Sequence, residues 1–412
     1  MKNESAATAA RPIPSDLGRG TSQTGGRLYN ERLILTLIRR HGSLPKAEIA
    51  RLTGLSAQTI SVIMKQLEAD GLLIKERPQR GRIGQPSVPF SLNPEGAFFL
   101  GLKIGRRSGD LVLLDFVGRV LNTLHETYPY PTPAGVLDFV ERGTDLLVRD
   151  LTPSQYARIG GIGIAAPFEL WNWREQIGAP NAALEAWRDF DIRSEVSERC
   201  PFPAYFCNDA TAACGAELVL GNPGHAHDFL YFFIGSFIGG GVVLDGSLYP
   251  GRSGNAGALG SMPVRGIGGA GSLPPQQLIR SASIFSLEET LQRSGRDPAV
   301  LWRAPDDWGD IGAVIDQWIE EVAASLAFAI VAAISVIDFE SVIIDGAFPR
   351  AVRSQIVSLT AKRVAEFDRQ GLSSITIAEG TIGSGARAIG GACLPLLANF
   401  TRDREILFKE TL

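Results

Sequence analysis

The chain has 412 residues, 45% apolar and 20% charged, which excludes a disulfide-stapled miniprotein and leaves room for two to four structural units with at least one substantial core. The formal net charge is −4 but unevenly spread: residues 27–90 hold eleven Lys or Arg against five Asp or Glu, and the 26 residues before them are net +1. The remaining 322 residues therefore carry −11, and a basic N-terminal module on an acidic body is the asymmetry expected when one part of a protein approaches a polyanion.

The 46 glycines, about 11% against a norm of roughly 7%, predict glycine-dense turns and favour an α/β fold. Four cysteines, none in a C-x-x-C pair, fit a reducing compartment, and the chain reads as cytoplasmic. Residues 1–26 lack the roughly 7–15 apolar residues of a signal peptide and read as a disordered tail rich in Ala, Ser, Thr, Gly and Pro. The longest apolar run, Val322 to Ile337, is shorter than the roughly 20 residues that span a bilayer. Acidic residues flank it, so it reads as a buried helix leading towards a strand, with no membrane partner.

Leu28 to Arg40 places Leu33, Ile34, Leu37 and Ile38 on one face of a first helix, which His41-Gly42 ends. Lys46 to Thr53 predicts a second helix and Gly54-Leu55 a turn. Ser56 to Leu67 predicts a third helix with Ser56 as its N-cap. Ala50 at the crossing, Gly54 in the turn and Ile49, Leu55, Ile60 and Ile63 inside the angle meet the needs of a helix-turn-helix. An unrelated α-hairpin shares the apolar spacing, but the outward residues Ser56, Ala57, Gln58, Thr59, Ser61 and Lys65 suit base edges or phosphates in a major groove. A strand beginning near Gly71 and a returning strand over Val88 to Leu92 form a wing. The loop between them projects Arg80 and Arg82 towards phosphates or a minor groove. Residues 27–92 are thus read as a winged helix-turn-helix domain for double-stranded operator DNA.

From Ala97 onwards, glycine-punctuated strands alternate with helices. Phe98 to Ile104 and Asp110 to Asp115 predict a hairpin continuing through Gly118 and Val120, followed by a helix near Val136 to Leu151 and a buried strand from Ile159. Phe229 to Ile234 and Gly240 to Asp245 predict a second hairpin, and Ser341 to Asp345 a later strand. Two lobes of similar order around a cleft accommodate these segments.

Four motifs in the body resemble the ROK family of bacterial repressors and sugar kinases: Gly161-Ile-Gly-Ile-Ala-Ala-Pro167; Cys207-Asn-Asp-Ala-Thr-Ala-Ala213 with Ala216-Glu217; Ile238-Gly-Gly-Gly-Val-Val-Leu-Asp-Gly246; and Tyr249-Pro-Gly-Arg-Ser-Gly-Asn-Ala-Gly257. The resemblance covers nearly the whole chain from Leu28 and implies an α/β protein: an N-terminal winged helix-turn-helix followed by a two-lobed actin-like ATPase fold. It divides the body, residues 97–412, into one lobe of about 97–207 with C-terminal helices over 385–412 and another of about 208–384.

The resemblance makes Asp209 the equivalent of the family's catalytic base, with Asn208 beside it for sugar hydroxyls and Asn255 as a further ligand contact. A helix cap is the plainer reading of the Asn-Asp pair. Phosphoryl transfer needs a carboxylate for the hydroxyl proton and glycine turns for the phosphates, and here the sequence departs from the kinases. Lys103-Ile-Gly-Arg-Arg107 replaces their Asp-x-Gly-Gly-Thr turn, with Arg106 and Arg107 expected in solvent, and Phe237 stands where their phosphate turn has glycine. Ala258 and Ser261 occupy the places of the family's sugar-binding glutamate and zinc-binding histidine. The family's cysteine cluster is missing from Arg265 to Ser272, and His225 and His227 read as a surface loop. No catalytic residue, cofactor or metal is therefore expected.

The leading expectation is a cytoplasmic DNA-binding transcriptional regulator, a homodimer or higher homo-oligomer acting as a repressor of carbohydrate uptake or catabolic genes in response to a sugar or sugar derivative. Two rivals stay open: a hexose kinase carrying a DNA-binding module, and a ligand-blind DNA-binding protein whose body serves only to dimerise.

Overall fold

The computed structural model describes residues 23–78, 87–168, 170, 181–221, 226–264 and 275–402. Three helices, Gln23–His41, Lys46–Thr53 and Ala57–Ala69, open the chain. The first begins at Gln23, before the tail boundary of 26 expected from composition, because its opening turn extends through Gly25 and Gly26. Gly54 sits at φ 70° and ends the second helix by donating its N–H to the Ala50 carbonyl, a left-handed turn that a side chain would strain. Ser56 caps the third helix, its Oγ accepting from Thr59 N at 3.1 Å.

Strands β1 (Ser43–Pro45), β2 (Leu73–Lys75) and β3 (Pro89–Leu92) form an antiparallel sheet in the order β1-β3-β2. The wing's two strands pair as expected, and the short strand between the first two helices adds a third that the sequence reading lacks. Ile34, Ile38, Ile49, Ile60, Met64, Leu67, Leu73 and Phe90 fill the module's core.

The body contains two five-stranded sheets. The first joins β4 (Phe98–Ile104), β5 (Ser108–Asp115), β6 (Val120–Thr127), β7 (Ile159–Ala165) and β8 (Ala204–Cys207) in the order β6-β5-β4-β7-β8. The second joins β9 (Phe229–Ile234), β10 (Ile238–Leu244), β11 (Ser247–Leu248), β14 (Ser341–Gly346) and β15 (Thr376–Glu379) in the order β11-β10-β9-β14-β15. A small hairpin of β12 (Pro263–Val264) and β13 (Gln276–Gln277) lies between β11 and β14 in the chain. In both large sheets an antiparallel hairpin (β4–β5, β9–β10) is followed by parallel strands (β7–β8, β14–β15), so one architecture occurs twice.

The helices Asp209–Leu220 and Ala386–Phe400 pack against each other at the centre of the body. Glycines allow the approach: a Cβ at Gly163 of β7 would fall 1.8 Å from the Gly391 carbonyl oxygen, and one at Gly390 would fall 2.1 Å from that of Ala212. The apolar run from Val322 belongs to the helix Val314–Ile334, whose Val322, Leu326 and Ile330 are buried in the second lobe. It is long and apolar enough to cross a membrane, but its buried side forms part of this core.

The N-terminal helical module shares its core with the first lobe. Ile34, Leu35 and Ile38 join Phe99, Leu114, Phe116, Cys393 and Leu396 in one apolar cluster. Phe116 stacks edge-on against Phe400 at 5.0 Å between centroids, Phe99 meets Phe400 at 5.8 Å, and the Arg39 guanidinium lies over the Phe116 ring at 5.1 Å. Arg158 Nη1 donates to the carbonyls of Asp70 at 3.0 Å and Gly96 at 3.1 Å, and the Arg402 amide donates to Thr36 Oγ1 at 3.3 Å. Truncating the fully buried Phe116 to alanine is expected to cost about 3–5 kcal/mol in urea unfolding, the range for a large ring lost from a packed core. A loss below about 1 kcal/mol would mean that the module does not depend on this joint.

Candidate functional site

The first candidate site is the outer face of the third helix. Ile60, Ile63, Met64 and Leu67 turn inward, leaving Ser56, Ala57, Gln58, Ser61 and Lys65 exposed. Thr59 is half-buried, and its Oγ1 lies 2.8 Å from Ser56 Oγ, so these two hydroxyls serve the cap as well as the surface. Val62, 62% exposed at the middle of the same face, escaped the sequence reading, which looked only for polar readers. An isopropyl group there is suited to a thymine methyl. Lys46 Nζ reaches Ser61 Oγ at 3.4 Å and ties the second helix to this face. Arg80 and Arg82 lie outside the described residues.

The second candidate site is the cleft where the lobes meet. Asn208 caps the helix Asp209–Leu220, its Oδ1 accepting from Ala210 N at 3.0 Å and Thr211 N at 3.3 Å. The cap reading thus holds for Asn208, while Asp209 has another role: its Oδ2 accepts from Arg387 Nη1 at 3.2 Å. Arg387 comes from the start of the last helix and stacks over Phe233 at 5.1 Å.

Lys103 is buried and donates to Asp110 Oδ2 and Ser108 Oγ, both at 2.8 Å. Burial pushes the Lys103 ammonium down from its ordinary value against the pull of Asp110, and the charges of Arg387 and Asp209 also reach it. Burial pushes Asp110 up, but Lys103 and the hydrogen bond from His125 outweigh it and hold the carboxyl well below the usual range.

Arg106 corrects the sequence reading, which placed it in solvent. It is 3% exposed, paired with Glu288 on the second lobe's helix Ile284–Arg293, and packed near the rings of Phe285 (5.2 Å) and Phe237 (6.0 Å). Arg107 is half-buried, donating to the Pro129 carbonyl at 2.6 Å with its guanidinium over Trp302. The β4–β5 turn therefore reaches the second lobe's helix Ile284–Arg293, where Arg106 pairs with Glu288 beside Phe285 and the Phe237 ring of the β9–β10 turn.

Asn255 is exposed on the loop after β11, and Ala258 and Ser261 are exposed further along it. Residues 265–274 and His225 lie outside the described residues. Sequence reasoning missed Arg387 and Glu288 as partners because 178 and 182 residues separate them from Asp209 and Arg106, and no local spacing signals such pairs.

A family model described as "ROK family" matches residues 99–396, and one described as "Winged helix-turn-helix DNA-binding" matches residues 27–74. The chain belongs to the ROK family. Among similar proteins, the Sinorhizobium fredii protein y4fQ is 25% identical over 90% of this chain and 91% of its own length. The xylose repressor of Bacillus subtilis is 25% identical over 59% of this chain, and the alignment spans 62% of the repressor. A solved structure of a ROK family transcriptional regulator, a homolog of the E. coli MLC protein, is 19% identical with a TM-score of 0.62, covering 93% of this chain and 99% of its own. The ROK hexokinase from Thermus thermophilus, 23% identical with a TM-score of 0.52, covers 73% of this ROK chain and 98% of its own. Both structures share the fold of the ROK body, and the regulator's match extends over more of the chain.

In this ROK chain, the bond to Asp110 raises the His125 pKa above its ordinary value, against a smaller opposing effect of burial. That stabilisation is complete below the unfolded value of about 6.5 and is lost as pH rises through the folded value. His125→Asn is expected to flatten this alkaline decline in urea midpoints measured between about pH 6 and 9. A decline of unchanged slope in the variant would remove His125 from the network's energetics.

Proposed function

We propose that this ROK protein is a transcriptional repressor of carbohydrate uptake or catabolic genes, binding operator DNA through its winged helix-turn-helix and responding to a sugar or sugar derivative in the cleft. The observation that carries the reading is the third helix, whose Ala57, Gln58, Ser61, Val62 and Lys65 stand open on a helix anchored by a buried apolar stripe. That geometry lets a helix enter a major groove without unfolding its support. Arg80 and Arg82 in the wing supply phosphate or minor-groove contacts. Two half-sites call for a homodimer or higher homo-oligomer, and the proposed site of action is the cytoplasm.

Asn208, Asp209 and Asn255 are the proposed effector contacts. The names of the similar xylose repressors support a carbohydrate effector and gene set. Phosphoryl transfer is not proposed, because Asp209 is engaged by Arg387 and the β4–β5 turn is tied to the second lobe by Arg106 and Glu288. The Asn208-Asp209 pair favours a hexose kinase as the second reading, since it is the part of such a site that this cleft retains. A ligand acts on DNA binding only to the extent that it prefers one arrangement of the protein.

Genome-wide selection of DNA fragments by the purified protein at near-physiological salt, repeated with a panel of sugars and sugar phosphates, tests the proposal. An inverted repeat beside sugar-uptake or catabolic genes, released by one of the sugars, is expected. The double variant Arg80→Ala, Arg82→Ala should weaken binding to all sequences and flatten its salt dependence by about one to two units of slope. No enrichment over bulk DNA, together with ADP release on any hexose, would replace this reading with the kinase.

A further inference from the structure

Beside the core that joins the DNA-binding module to the body lies a cavity of about 650 Å³ lined by both, a volume in the range of sites for small organic ligands. Its walls come from three parts of the protein. Leu37 and Leu52 belong to the first two helices of the module, Phe206 to β8 of the first lobe, and Leu248 to β11 of the second, with Leu397 of the last helix between them. Leu52 and Phe206, 39% and 38% exposed, present apolar surface that nothing else among the described residues covers. The cleft residues Asn208, Asp209 and Arg387 are not part of this lining.

The charges on these walls are of one sign. Arg39, Arg40, Arg193 and Arg402 line the cavity together with His227, and the described lining includes no Asp or Glu. Two of the guanidiniums have protein partners: Arg193 Nε donates to the Ala204 carbonyl at 3.1 Å, and Arg402 donates to the Asp245 carbonyl, with that residue's carboxylate at 3.6 Å. The other two are less well served. Arg39 Nη1 is buried without a hydrogen-bond partner, although the charge of Asp115 reaches that guanidinium, and Arg40 is half-buried beside Arg402. Burial lowers the Arg40 pKa from its ordinary value, and the like charge of the nearby Arg402 lowers it further. Four guanidiniums on one largely apolar wall, with Asp245 at the edge beside Arg402 and Asp115 acting on Arg39 from behind, leave an excess of positive charge that an anionic ligand would offset.

We propose that this cavity is a second ligand site, separate from the cleft, for a small organic anion with an apolar body, such as a medium-chain carboxylate. The carboxylate would meet Arg40 and the neighbouring guanidiniums, while the hydrocarbon covers Leu52, Phe206 and Leu248. An occupant there touches the DNA-binding module and both lobes at once.

Calorimetric titration of the full chain with sodium octanoate at fixed ionic strength tests the site, with 1-octanol as the uncharged control and inorganic phosphate as the anion without an apolar body. Saturable binding of one octanoate per chain is expected, at least about tenfold tighter than either control. Arg40→Gln should weaken it about tenfold, and Leu248→Trp, which sets an indole where the hydrocarbon would lie, should weaken it by at least as much with urea stability retained. Absence of binding, equal binding of octanol, or an unchanged affinity in Arg40→Gln would overturn the proposal. Binding that appears only after removal of residues 403–412 would also overturn it, because the chain's own terminus would then be the occupant.

Discussion

The contact on which the rest of the structure depends is the aromatic joint of Phe99, Phe116 and Phe400 beneath the first helix. Phe99 belongs to β4, Phe116 follows β5, and Phe400 ends the helix that runs between the lobes. Because Ile34, Leu35 and Ile38 close the same cluster, the DNA-binding module is set directly on the first lobe and does not hang from a linker. A close-packed core transmits displacement because it cannot deform continuously. The opposite side of the last helix packs against Asp209–Leu220, whose first turn lines the cleft, so a short chain of packed elements connects the cleft to the third helix.

In the cleft, each of three acidic side chains is paired with a basic one. Asp209 faces Arg387, Glu288 faces Arg106, and Asp110 faces both Lys103 and His125. The rings of Phe237 and Phe285 flank the Arg106 guanidinium, so the β4–β5 turn is closed over by side chains of the second lobe. Breaking a buried pair by removing one partner is more costly than the pair itself is stabilising. The Arg106–Glu288 bridge between lobes therefore holds one arrangement, and a ligand that favours another must compete with it.

Much of the fold is legible in the sequence because its signals are local. Gly54, the Ser56 cap and the spacing of Ile49, Ile60 and Ile63 define the helix-turn-helix within fifteen residues, and β4, β7 and β9 are apolar runs that need no distant partner to be recognised. The excess of glycine is legible as a number but not as a cause; the structure traces part of it to Gly163 and Gly390, where helix meets strand and helix meets helix. The candidate site was less accessible. Asn208 and Asp209 stand out as a motif, whereas Arg387 looks like any helix residue until folding brings it to Asp209. Arg106 was misread because an arginine in a turn is ordinarily solvated, and only the second lobe supplies the carboxylate and rings that bury it.

The module and the first lobe, joined through one core, should open as one unit. Native-state hydrogen exchange of the full chain in increasing urea tests this most directly, by comparing the amides of Ile60, Ile63 and Met64 with those of β4 and the last helix. The account predicts that both groups exchange through the same opening, with one free energy and one dependence on denaturant. A helix-turn-helix that opens several kcal/mol below the first lobe, with its own shallow denaturant dependence, would contradict it.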